Sequence, residues 1–252
     1  MNQRELKKFL DFKADQYESI AFVASDPIQI PHRFSKKEDI EIAGFLTASI
    51  AWGNRLSILK SAGKIMDLIE GAPYDFVINH TENDLNRFEG FVHRTFNAID
   101  LTFFIRSLKN IYKNHNGLEA VFDSEKSDVQ EKIHDFKTIF FSQDHLKRTE
   151  KHISDPLKGS AAKRINMFLR WMVRPNNKGV DFGIWSQISP SQLSVPLDVH
   201  TGNIARKLGL IKRKQNDAKT LMELDGKLRN FDAEDPVKYD FALFGLGVFE
   251  KF

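Results

Sequence analysis

Leu157-Lys-Gly-Ser-Ala-Ala-Lys163 opens the stretch from which the fold is read; it is followed downstream by Val195-Pro-Leu-Asp-Val-His200 and Ile204-Ala-Arg-Lys-Leu-Gly-Leu210. Apolar residues recur at helical spacing from Ala161 to Val173. Ser160, just ahead, is a residue type that accepts hydrogen bonds from the free amides of a helix start, so it is the expected N-cap and Lys163 is expected in the first turn. A second helix is expected from Val199 to Leu208, stopped by Gly209, with Asp198 in the capping position before it. Between the two helices, residues 174–196 show no clear periodicity.

Outward from this stretch the chain reads as helix after helix. Residues 1–24 carry Leu6, Phe9, Leu10, Tyr17 and Ile20 at roughly helical spacing. Ser35 with Glu38 predicts a capped start for a nearly apolar helix through Ile50, and a further helix runs from Leu56 to Gly71. A helical pattern is read from Phe91 to Tyr112, with shorter helices at 118–122, 129–141 and 145–153. Asp217 and Asp235-Pro236 start the last two. No sustained period-2 alternation and no hairpin turn signal is found. The expected class is therefore all-α with ten or more helices. The expected organisation is a first helical lobe over about 36–150 and a region 151–215 holding the key stretch, with 1–35 and 216–252 packed around it.

Composition narrows the chemistry. There are no cysteines, which excludes disulfides, thiolate metal sites, a cysteine nucleophile and an iron–sulfur cluster. The start is polar and no apolar run reaches the length of a membrane span, so a soluble protein without a membrane partner is expected; the missing cysteines are compatible with a cytoplasmic setting, and a monomer is expected. A net charge of +3 permits a nucleic-acid partner through a local basic face. The 22 phenylalanines are expected in an aromatic core.

Lys163 and Asp198 are the candidate reactive groups. A cation in a first helical turn faces the positive end of the helix dipole, and Schiff-base chemistry uses a lysine amine in its neutral form; the ordinary alternative is a surface lysine. A carboxylate in front of a helix either simply caps it or, in the same geometry, steadies a cationic sugar. Lys158, Arg164, Arg170, Arg174, Arg206, Lys207, Lys212, Arg213 and Lys214 form either a solvated basic face or phosphate contacts. Amides near Gly159 and Ser160 suit a phosphate. His134-Asp135 is the slender basis for a metal-dependent hydrolase, and no metal is expected.

These residues resemble the helix–hairpin–helix DNA glycosylases. Leu157–Lys163 is similar to that family's Leu-Pro-Gly-Val-Gly-x-Lys hairpin, and Val195–His200 to its Val-Pro-Val-Asp-x-His signature. The likeness covers residues 36–210 in pieces, and the chain as a whole looks most like an uncharacterised bacterial family grouped with these enzymes. The resemblance implies a two-lobed helical fold with a cleft between the lobes. It also implies base-excision repair of double-stranded DNA holding a damaged base, an oxidised purine by first preference, or an abasic site. That would be work at the nucleoid needing no cofactor. It makes Lys163 the nucleophile at C1′ and Asp198 its assistant, with Lys158, Gly159, Ser160, Ala161, Arg164 and His200 on the DNA. Ser49 falls where the family fills the gap left by an extruded base, Phe91–Phe96 weakly resembles a second wedge, and Trp52 and Trp185 are base-pocket candidates. Two departures stand in the hairpin: Lys158 replaces proline, and Ala161 replaces the second glycine, strained if that position is left-handed. The alternative is a DNA- or RNA-binding module that keeps the fold without the lyase chemistry.

Overall fold

A computed structural model describes residues 2–250 and Phe252. It is predominantly helical, with 63% helix and 2% strand. Helix α1 (Gln3–Tyr17) is closed at its start by a capping box in which the Asn2 side chain accepts from the Glu5 amide and the Glu5 carboxylate accepts from the Asn2 amide. It is followed by α2 (Ile20–Val23), α3 (Lys37–Ser49), α4 (Arg55–Leu68), capped by Asn54, and α5 (Pro73–Asn79). A two-stranded hairpin, β1 (Val92–His93) and β2 (Phe96–Asn97), precedes α6 (Ala98–Asn114). Then come α7 (Leu118–Phe122), α8 (Val129–Phe140), α9 (Lys163–Val173), α10 (Val199–Lys207), α11 (Ala218–Phe231) and α12 (Tyr239–Val248). Single 3-10 turns fill several of the connections.

Three expectations need correction. Ser35 does not cap α3: the capping position is Lys36, without a side-chain bond, and acids in the first turn, Glu38 and Asp39, complement the dipole instead. Residues 91–97 are not helical. His93 pairs with Phe96, Arg94 takes a left-handed turn conformation with φ 55°, and an Asn97–Asp100 capping box fixes the start of α6 at Ala98. Residues 147–152 form a 3-10 segment rather than an α-helix.

The chain divides into two compact units. One comprises Ser25–Glu125 and Lys132–Ser154; the other Met1–Ala24, Lys126–Glu131 and Asp155–Phe252. The division falls at 24/25 rather than near 36, and it joins α1, α11 and α12 to the hairpin region. In the first unit Phe45, Phe104, Phe136 and Phe140 pack with ring centroids 4.9–5.8 Å apart, an aromatic core that absorbs much of the phenylalanine. In the second, Leu6, Leu10 and Ala14 of α1 share a core with Ile204 of α10, Leu224 of α11 and Tyr239, Leu243 and Leu246 of α12. Among the described residues no helix is long and apolar enough to cross a membrane.

Candidate functional site

The second unit carries the hairpin. Asp155 caps a 3-10 turn over Pro156–Lys158, accepting from the Leu157 amide at 3.1 Å. Gly159 then adopts φ 90°, which reverses the chain without a Cβ penalty. Its carbonyl accepts from the Ala218 amide at 3.0 Å, and Ser160 forms an isolated antiparallel bridge with Asp217, so the hairpin is fastened to the start of α11. The Ser160 hydroxyl accepts from the Ala162 amide at 3.1 Å, a local turn that diverts it from capping α9. The N-cap is Ala162, left-handed at φ 42°, and α9 starts at Lys163 itself. The expected cap at Ser160 is thus displaced by two residues. The left-handed conformation falls on Ala162, and Ala161 is not among the residues with positive φ. Asn166 donates to the Ala161 carbonyl at 2.9 Å and receives Gln130 at 3.1 Å, which ties the hairpin to the body of α9.

Asp198 is the N-cap of α10, its carboxylate accepting from the Thr201 amide at 2.8 Å. Its main-chain carbonyl accepts from Asn216 Nδ2 at 2.8 Å. The strand-like segment leading into it is anchored by Asp225, which accepts from the Val195 amide at 3.1 Å. Burial pushes the Asp225 carboxyl up to about 6, against the opposing pull of Ser194, the Val195 amide and Arg229.

The body of α9 and the first turn of α10 meet at Asp240, in the first turn of α12. Arg170, two turns along α9 from Lys163, bonds Asp240 through Nη1 and Asp181 through Nε at 3.3 Å. The Thr201 hydroxyl donates to the other Asp240 oxygen at 3.4 Å. Burial is the main cause that pushes the Asp240 carboxyl up to about 6; Arg170 opposes it, the Asp198 charge adds to it, and the Lys163 charge opposes it. Lys163 and Asp198 therefore both act on one buried carboxyl, from the starts of different helices.

Arg170 and Arg174 belong to no basic face. Arg170 is 3% and Arg174 4% exposed. Arg174 meets Glu18 and Asp181 at 2.7 Å and Asp235 at 2.8 Å, and both guanidiniums lie over the Phe241 ring. Burial lowers the Arg174 proton affinity, but Asp235, Asp181 and Glu18 together outweigh it and hold the group above its ordinary value. Arg206 is likewise committed, donating to the Arg213 carbonyl at 2.6 Å and the Gln215 carbonyl at 3.2 Å.

The remaining predicted residues scatter. Lys158 is exposed, 3.9 Å from Asp155. Arg164 is half-buried, and burial brings its guanidinium down to about 10. His200 is exposed at the first turn of α10, 6.2 Å from the Phe244 ring. Trp185 is 3% exposed and packs edge-on to Phe168, an interior position under α9. Ser49 and Trp52 belong to the first unit: Ser49 is buried at the end of α3, and the half-buried Trp52 stacks on His152 at 5.9 Å with its edge to His93 at 5.2 Å. A cavity of about 580 Å³ beside the hairpin, with Pro156, Leu157, Leu221, Met222, Asp225 and Arg229 in its wall, includes neither Lys163 nor Asp198. His134 and Asp135 sit in α8, and among the described residues no group of three or more His, Asp or Glu is arranged to hold a metal ion. Sequence reasoning overlooked Asp240; the available signal was an acid in the first turn of an otherwise almost wholly apolar helix.

These features define a helical protein in which a lysine and a carboxylate each stand at a helix start of one compact unit. The chain belongs to the family described as "Protein of unknown function (DUF2400)", whose model matches residues 26–249. Searches of curated proteins and of solved structures returned no match.

Proposed function

We propose that the protein is a base-excision DNA glycosylase with abasic-site lyase activity, built on the two-lobed helix–hairpin–helix plan, and that Lys163 and Asp198 are its reactive pair. The observation that carries this reading is geometric: in one compact unit Lys163 opens α9 directly behind the hairpin turned at Gly159, and Asp198 caps α10. The two groups that the resemblance pairs are thirty-five positions apart in the chain, yet both belong to one compact unit and both charges are felt by the buried Asp240 carboxyl.

In this reading the damaged nucleotide is extruded from the duplex. The Lys163 amine attacks C1′ and the N-glycosidic bond breaks, its electron pair leaving with the base, which takes up a proton. The amine's own proton passes to a nearby base or water. Asp198, held by the Thr201 amide, steadies the positive charge that develops on the sugar. The C1′–O4′ bond then opens, O4′ taking up a proton, to give a Schiff base at C1′; removal of a C2′ proton expels the 3′ phosphate, and water then hydrolyses the imine and frees the lysine. Gly159, Ser160, Ala161, Lys158, Arg164 and His200 supply the contacts to the DNA backbone. An oxidised purine is the first substrate to test.

Borohydride reduction on an abasic-site duplex reads the chemistry directly. A covalent adduct is expected with the wild type, none with Lys163→Gln, and a rate lower by about 100-fold or more with Asp198→Asn. A wild-type protein that gives no adduct, yet binds duplexes in a salt-dependent way, would instead establish the non-catalytic binding module. The observation favouring that second reading is the left-handed alanine before Lys163, where a hairpin built for close phosphate approach is better served by glycine.

A further inference from the structure

We propose that the arch Ile211–Asp217 is a second DNA-backbone contact of the site, with Lys212 and Lys214 as its phosphate-binding cations. The inference rests on the nucleic-acid reading above and deepens it.

The C-terminal end of the arch is fastened beside both candidate reactive groups. Asp217 bridges Ser160 and the neighbouring Ala218 amide bonds Gly159, which fixes it to the Lys163 hairpin. The preceding residue, Asn216, donates to the carbonyl of Asp198. Gly202 makes this approach possible: a Cβ there would lie 2.5 Å from Asn216 Oδ1. Arg206 spans the inside of the arch, donating to the carbonyls of Arg213 and Gln215 and to the Asn216 side chain. Ile211 seats the base of the arch in the core at 2% exposure. The loop is thus preorganised, and little conformational freedom is lost if its tip meets a partner.

The charges are sorted accordingly. Arg206 is spent on the arch itself, and Arg213 is paired with Asp217. Lys212 and Lys214 are exposed, and neither forms an ion pair among the described residues. Lys214 is three residues from Asp217, so its Cα lies within about 11 Å of the residue that bridges the hairpin. That is the axial rise of about three nucleotides of one DNA strand. Lys214 is therefore within reach of phosphates about three nucleotides or fewer from one held at the hairpin.

The test is fluorescence anisotropy of the full chain on a duplex with a reduced abasic-site analogue, titrated from about 50 to 200 mM salt. Each phosphate contact contributes about 0.9 to the slope of log K against log salt. Lys212→Ala/Lys214→Ala is expected to flatten that slope by about 1.8 and to weaken binding several-fold at low salt. Lys212→Arg/Lys214→Arg is expected to retain both. Circular dichroism melts establish that each variant folds; these exposed positions carry no core contact. Wild-type binding with an unchanged slope in the alanine variant overturns this inference and leaves the nucleic-acid reading standing. A wild type that binds no duplex overturns both.

Discussion

At the scale of single residues, two positions around the site carry a conformational or electrostatic cost. Ala162 holds φ 42° and ψ 39°, a conformation that costs an L-residue with a Cβ about 1–2 kcal/mol. Glycine would remove that cost and lose part of the gain to backbone entropy. Ala162→Gly is therefore expected to raise stability by about 1 kcal/mol, read as a higher urea midpoint at unchanged m-value. Asp225 is the second position. Its carboxyl, pushed up to about 6 by burial, keeps its proton in the native protein over a range where the unfolded chain, near 4, has lost it. The native state then binds more protons between those values. Its contribution to stability is complete below about pH 4 and disappears as pH rises through about 6. Asp225→Asn cannot titrate. Urea unfolding at several pH values should show the wild type losing on the order of 2 kcal/mol relative to this variant between pH 4 and 6.5, with no further change above. A difference that is flat across that window would remove the electrostatic account of Asp225.

At the scale of elements, the packing of α1 against α12 sets the second unit. Gly245 of α12 lies beneath Tyr17 of α1, and a Cβ added there would come within 2.2 Å of the ring. Tyr17 has little room to withdraw, being stacked on Phe249 at 5.5 Å and bonded to Glu250. Gly245→Ala adds helix propensity worth about 1 kcal/mol, yet overpacking should dominate and leave a net loss of about 2 kcal/mol, measurable as a lower melting temperature. The elements also show what a sequence reader can see. The start of α10 was legible because Asp198 caps it through a contact three residues away, and such short-range pairings are written in residue order. The start of α9 was misread because Ser160 uses its hydroxyl two residues on, in a turn that competes with capping. The hairpin at 92–97 escaped because two-residue strands carry no period. Arg170 and Arg174 look like surface cations because Asp240 and Asp235 stand 70 and 61 residues away, and their nearer partner, Asp181, lies in the segment without periodicity.

At the scale of the molecule, the order of the chain differs from the order of its packing. The unit that holds Lys163, Asp198 and Asp240 is assembled from both ends of the sequence, with α1 contributing to the core formed by α10, α11 and α12. Two polar ties reinforce the apolar one: Tyr239 donates to Asp11 at 2.8 Å, and Arg174 binds Glu18 at 2.7 Å. Without α1 the fragment 155–252 would expose Tyr239, Leu243 and Leu246, and would leave Arg174 short of a buried carboxylate. The fragment alone is therefore expected to lack a cooperative thermal transition, and a peptide of residues 1–24 supplied in trans is expected to restore one in a concentration-dependent way. Near-UV circular dichroism of Tyr239 and the neighbouring aromatic side chains would follow the change. A fragment that melts cooperatively by itself would show that the hairpin region carries its own core, and that α1 only covers it.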